Sequence, residues 1–269
     1  MPTLRNYLES AREYALDAAR KYDPNAPLGD RLESFRVFCL ALKMIAYARL
    51  LLESDVEGFF VNLHRVALNG RNLLRMVREE PQSNRRIPAS HNAPLLAALV
   101  TDLTLAREIA TLSARERTPP EYDDEFYGAF FLQESVRPRA PEEPSVELEG
   151  LCQKMDDYLE EETPRSRTLR ALARRDWAEF EAAFEVWNEG AARALAHAAD
   201  SPGATYSMGI TQHIWLEGLA VLKLAESQGF SPTPVPRPRI PGLVLAARPS
   251  LAGMKPLVLG AAWIDEDDL

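Results

Sequence analysis

The stretch from Phe35 to Leu52 constrains this chain more than any other. It carries charge only at Arg36, Lys43 and Arg49 and contains neither Gly nor Pro. Its Ala, Leu and Met content favours helix. Wound as a helix, it places Arg36, Lys43, Tyr47 and Ser54 on one narrow stripe, with nearly all the remaining circumference apolar or small. A helix apolar on most of its sides is buried by neighbours on several sides. The stretch therefore predicts the central helix of an all-α domain. A membrane span is the competing reading. Each Arg or Lys at mid-span costs about 2.5–3.5 kcal/mol, and three in one span disfavour it.

The 269 residues are 46% hydrophobic and 26% charged, ordinary values for a globular chain. A chain of this length buries about three quarters of its unfolded surface without help from metal or disulfide. Forty acidic residues against 31 basic ones give a formal net charge of −9. That argues against nucleic acid as a partner, since phosphate binding needs a basic surface. It suits a basic protein partner, because complementary fields steer encounter. It is equally what keeps an ordinary protein soluble.

Only two cysteines occur, Cys39 and Cys152. They make no disulfide scaffold and fit a reducing compartment, with Cys39 expected to be an inert buried thiol. The first residues lack a basic region followed by an apolar run, so no secretion signal is expected. The expectation is a cytoplasmic protein with no membrane span and no cofactor.

Helical spacing of apolar residues predicts helices over 3–22, 28–53, 56–79, two short ones within 94–112, then 122–136, 145–162, 165–174, 176–199 and 206–228. Gly70 is expected to weaken the third. The fold class expected is therefore all-α: a single helical domain, residues 1–230, of roughly eight to ten helices built from antiparallel helical hairpins. The proline-rich connector near 137–144 is a candidate subdomain boundary. Residues 231–269 are expected to form an extended proline-rich tail with a mobile acidic end at Asp265–Asp268. Local signals mark several helix starts. Asp102 is a candidate N-cap, Pro164 suits a first helical turn, and Asp176 with Glu179 resembles a capping box. Leu95, Ala98, Asp102, Leu103 and Ala106 recur 74 residues on as Leu169, Leu172, Asp176, Trp177 and Phe180. The recurrence suits either a helical-hairpin repeat or two unrelated capped hairpins.

Motifs for chemistry are scarce. The four histidines, His64, His91, His197 and His213, show no metal-binding spacing, and no phosphate loop, nucleophile elbow or dinucleotide fingerprint occurs. His213 and Glu217, four apart, are expected to pair on a helix surface rather than hold a metal. Two acidic runs interleaved with tyrosine stand out. One is Glu121, Tyr122, Asp123, Asp124 and Glu125. The other comprises Asp156, Asp157, Tyr158, Glu160 and Glu161. The bland expectation for both is a solvated helix end. The functional one is a surface that meets a basic partner, with tyrosine as a contact anchor.

The segment from Ile214 to Phe230, Ile-Trp-Leu-Glu-Gly-Leu-Ala-Val-Leu-Lys-Leu-Ala-Glu-Ser-Gln-Gly-Phe, is followed by prolines. The earlier long helix runs from Ala41-Leu42-Lys43 to Leu50-Leu51-Leu52-Glu53. With the all-helical layout over about residues 1–245, these resemble the immunity-49 family of bacterial polymorphic-toxin immunity proteins. The resemblance implies a cytoplasmic antidote that binds a cognate toxin domain, often a nuclease or other enzyme, and blocks it. It brings no catalytic residue and no fixed contact position with it.

Two other readings stay open at the level of sequence. One is a tetratricopeptide-like scaffold or adaptor that holds a peptide or protein partner, its groove lined by Trp177, Trp187 and Tyr206. The other is an enzyme with a site around His64 or around His213 and Glu217, which would need a pocket with converging polar groups.

Overall fold

The computed structural model describes residues 3–80, 87–139, 146–200, 208–233, 235–247, 250–261, 264–265 and 268–269. Among them it contains twelve helices and no strand, an all-α domain as expected.

The first layer is sequential. Helix α1 (Leu4–Lys21) packs on α2 (Leu28–Glu53), and α2 packs in turn on α3 (Val56–Glu79). Thr3 starts α1 with a capping box, accepting the Asn6 N–H while Asn6 accepts that of Thr3. Phe38, Leu42, Ile45 and Ala46 of α2 are buried outright, which is why this helix needed so few charges. Burial of each large apolar side chain contributes about 1.5–3 kcal/mol. The narrow polar stripe of α2 is not exposed throughout. Tyr47 is 2% exposed, stacks on Phe59 at 6.1 Å and is held by burial above the usual phenol range.

Gly70 does not interrupt α3. A Cβ there would lie 2.1 Å from Pro94 Cβ, so the glycine lets the start of α4 (Ala93–Thr101) sit on the middle of α3. Asp102 turns the chain between α4 and α5 (Leu103–Leu112) by accepting the N–H groups of Thr104 at 2.8 Å and Leu105 at 3.2 Å. Helix α4 is held between α3 and α11 (Leu216–Ser227). That arrangement is not the tandem stacking of a solenoid, in which each unit touches only its neighbours.

Helices α6 (Asp123–Val136) and α7 (Leu148–Leu159) pair, as do α8 (Pro164–Arg174) and α9 (Trp177–Asp200). Thr163 caps α8 and Asp176 caps α9, the latter accepting the Glu179 N–H at 3.2 Å. Both halves of the 74-residue recurrence are thus a helix, an aspartate cap and a second helix. The connector expected at 137–144 falls largely outside the described residues, and Tyr206 lies outside them.

The helix expected over 206–228 is two: α10 (Met208–Thr211) and α11. Trp215 breaks it. Its N–H bonds the Arg239 carbonyl at 2.8 Å instead of continuing a helix. Its ring packs on Phe184 and Trp187 at 5.6 and 4.7 Å and folds over Gly218, where a Cβ would lie 2.1 Å from the indole. Trp187 is therefore core, 9% exposed, and Trp177 packs on Phe180 and Phe230. Of the residues imagined to line a scaffold groove, Trp187 is thus core and Trp177 half-buried.

The C-terminal segment is docked. Arg237 is buried and bonds Glu185 at 2.7 Å, Glu181 at 3.3 Å and the Thr233 carbonyl at 2.9 Å. A short helix, α12 (Gly242–Ala246), buries Val244 and is tied to α11 by Lys223 on the Leu245 carbonyl at 2.9 Å. Further on, Leu257, Leu259, Ile264 and Leu269 are buried. The acidic end is fixed at Asp268, which pairs with Lys255 and whose carbonyl accepts from Arg65 at 3.0 Å. The extra helices beyond the eight to ten expected come from the Trp215 break and from α12. No helix among the described residues is long and apolar enough to cross a membrane.

Candidate functional site

A cleft of about 1050 Å³ opens where α7 ends, α8 follows and α9 begins. Its construction is legible residue by residue. Helix α7 finishes on Asp156-Asp157-Tyr158-Leu159, and Glu160 reverses the chain in a left-handed conformation, φ 59°. Such a conformation at a helix C-terminus is the usual way to stop it. Glu161 and Glu162 then lead to Thr163, whose cap and the following Pro164 launch α8. Two short turns thus stack a run of carboxylates at one end of the α7/α8 pair.

Helix α8 answers with arginines at positions 167, 170 and 174, spacings of three and four that share a helix face. Arg167 pairs with Glu179, Arg170 with both Asp156 and Glu162, and Arg174 with Glu149. Burial pulls Arg170 down, but the hydrogen bond it donates to Asp156 and the charges of Asp156 and Glu162 outweigh it. Its guanidinium is held above the ordinary arginine value. Asp156 is correspondingly buried and structural. One of its oxygens takes Arg170 and the other is buried without a hydrogen-bond partner.

The cleft as a whole holds Asp156, Asp157, Glu160, Glu161, Glu162, Asp176 and Glu179 against the three arginines. Seven carboxylates and three guanidiniums leave an excess of four negative charges. Asp157 accepts from Gln153 at 2.8 Å and Asp176 is used as a cap. Glu160 and Glu161 are exposed and make no ion pair among the described residues. Tyr158, 45% exposed, stands beside them in the chain though not in the cleft wall. An arrangement of this kind attracts cationic groups and offers carboxylates as acceptors for Lys or Arg.

The other acidic run divides. Glu121 is buried, accepting the N–H groups of Ser90 at 2.5 Å and Thr118 at 3.1 Å. It braces a loop and is not part of a surface. Asp123 pairs with Arg117 at 2.9 Å, Asp124 is half-buried, and Tyr122 and Glu125 are exposed. Negative side chains in the first turn of α6 complement the helix dipole. The two runs do lie at the same end of the α6/α7 pair. Lys154 Nζ sits 5.2 Å over the Tyr127 ring, and a Cβ on Gly128 would meet Arg165. Arg165 belongs to the first turn of α8, just after the second run.

The residues considered for catalysis do not converge. Glu217 pairs with Arg165 at 2.6 Å rather than with His213. His213 sits outside α10 and α11, with Nδ1 3.5 Å from Arg239, and burial followed by Arg239 holds it below the ordinary histidine value. His64 is on α3 with Nδ1 buried and unpartnered. Among the described residues no group of three His, Cys, Asp or Glu is arranged to hold a metal ion. Cys39 and Cys152 are both free, and burial pushes each thiol up to about 12.

Sequence reasoning missed the arginine stripe, although its spacing was visible. It placed Lys43 on the polar stripe of α2 but not in the groove between α2 and α3 where the side chain is half-buried. No family model matches this chain, and neither a curated protein nor a solved structure matches it.

Proposed function

We propose that this protein is a stoichiometric antidote, binding a cognate toxin domain in the cytoplasm and blocking it by occupancy, with no chemistry of its own. The observation that carries the reading is the acidic cleft, with its excess of four negative charges and its exposed Glu160 and Glu161, which make no ion pair among the described residues. The resemblance to the immunity-49 family supplies the class of partner. Nuclease toxins fit the charge best, because a surface that holds phosphate is basic. Fields of opposite sign raise the association rate, and truncating rim charges lowers it. The cleft faces protein, not nucleic acid, on this reading, since its carboxylates would repel phosphate.

The test is a low-salt pull-down from the native cell lysate with tagged protein, with bound proteins identified by mass spectrometry and followed by toxicity rescue. The expected partner is a single toxin domain whose toxicity the wild type neutralises. A D157N/E160Q/E161Q variant should associate at least tenfold more slowly and with a weaker salt dependence. Rescue and association unchanged in that variant would place the contact elsewhere. Recovery of cytosolic regulators alone would favour the scaffold reading.

A further inference from the structure

We propose that the groove between α2, α3 and the segment leading into α4 binds a monoanionic amphiphile, an apolar chain ending in a carboxylate, with Lys43 Nζ as the counter-ion of its headgroup. The inference is independent of the antidote reading and concerns a different part of the molecule.

Three observations converge on it. The groove, about 710 Å³, falls within the range of small-molecule pockets, about 300–1,000 Å³. Its walls are largely aliphatic, from Leu32, Val37, Leu40, Val66, Leu73 and Ile87, and Leu40 at the rim is 39% exposed. Secondly, its charge is uncompensated among the described residues. Among the described residues, the charged side chains lining it are Glu33, Arg36 and Lys43. Glu33 is taken by Arg36 at 3.3 Å, which leaves one positive group and asks for one negative charge. The other titratable groups on its walls are Cys39 and His91, and the Cys39 thiol points to the Val66 carbonyl at 3.8 Å.

Thirdly, Lys43 is unlike the rest of its kind in this chain. The sequence has five lysines. Lys21 pairs with Asp17, Lys223 with Glu226 and Lys255 with Asp268, and Lys154 lies over Tyr127. Lys43 alone has no such partner among the described residues, on the most apolar helix of the fold. Burial without a counter-ion holds its amine below the ordinary lysine value, so an anion entering the groove gains an ion pair that the free protein lacks. A buried charge is retained at a cost unless something pairs it. An apolar chain against aliphatic walls and a carboxylate against Lys43 satisfy both features at once.

The test uses the full chain and sodium decanoate, titrated calorimetrically below its micellar concentration. Saturable 1:1 binding is expected. Lys43→Met should weaken it at least tenfold, and decanol should bind the wild type at least tenfold more weakly than decanoate. Acetylation of Lys43, followed by mass spectrometry, should be suppressed by decanoate while that of Lys21 and Lys255 is not. If Lys43→Met does not fold, Leu40→Asp at the rim reads the same loss. Absence of saturable binding, equal binding of decanol, or Lys43 left unprotected would each overturn the proposal. So would decanoate affinity unchanged in both variants, which would leave a segment of another protein as the occupant to seek.

Discussion

Asn69 on α3 accepts the backbone N–H of Leu259 at 2.9 Å, across 190 positions of sequence. The same carboxamide donates to the Leu257 carbonyl at 2.7 Å. One side chain thus serves the C-terminal segment as a neighbouring strand would, satisfying a donor and an acceptor of its backbone. Arg65, one turn earlier, reaches the Lys255 and Asp268 carbonyls at 3.4 and 3.0 Å. Burial, followed by the charge of Arg49, brings Arg65 down to about 10.

Replacing Asn69 by Leu removes both partners and leaves two buried backbone groups unsatisfied. Each such group costs about 1–3 kcal/mol, so a loss of about 2–6 kcal/mol is expected by urea unfolding. Hydrogen exchange should accelerate first at residues 255–261. Unchanged exchange there would show that the segment is held by its leucines alone.

Arg237 offers a second, separable anchor. Its guanidinium is 1% exposed, while Glu181 and Glu185 are each about a third exposed. Breaking a fully buried pair costs about 3–5 kcal/mol. Here the glutamates recover solvent, so Arg237→Met is expected to cost nearer 2 kcal/mol. Loss of protection confined to 235–247, with 255–261 unaffected, would show that the two anchors act independently. Concerted loss would make the whole C-terminal segment one cooperative unit.

What was legible in the sequence was local. The centrality of α2 follows from its own apolar circumference. Asp102, Pro164 and Asp176 announced their helices because a cap needs only its next three residues. The Trp215 break was not legible, because it depends on a carbonyl at Arg239 and on rings at Phe184 and Trp187. The apolar patches Leu243–Leu245 and Leu257–Leu259 marked parts of the tail that could dock, but the side chains that receive them were hidden for the same reason. Asn62, Arg65 and Asn69 recur on one face of a helix that is otherwise buried there, yet nothing local says that this polar stripe receives a distant backbone. The site divides in the same way. Charge marked both acidic runs, but only tertiary contacts separate Glu121, buried against Ser90 and Thr118, from Glu160 and Glu161, which face water.

His64 ties stability to pH. Burial holds it below the ordinary histidine value, against an upward pull from Asp102 and with a further downward push from Arg71. The unfolded chain therefore binds a proton more readily than the folded one. This contribution is fully present above the unfolded pKa, about 6.5, and is lost as pH falls toward the lower folded value. His213 shifts in the same direction. Melting temperature measured from pH 8 to 5 should fall below about pH 6.5. The fall should be shallower in His64→Gln and shallower again when His213→Gln is added. A profile identical in all three proteins would assign the acid sensitivity to carboxylates.

Glu160 separates the stability of the cleft from its charge. It sits at φ 59° as the residue that ends α7, where a side chain is strained and glycine is not. Glu160→Gly should therefore stabilise the protein by about 0.5–1 kcal/mol, while Glu160→Gln, which keeps the strain, should leave stability nearly unchanged. Both remove the same negative charge from the cleft. On the antidote reading both should slow association with a basic partner to the same extent, despite their different midpoints in urea. A difference in association that followed stability instead would mean that Glu160 contributes through the shape of the turn rather than through its carboxylate.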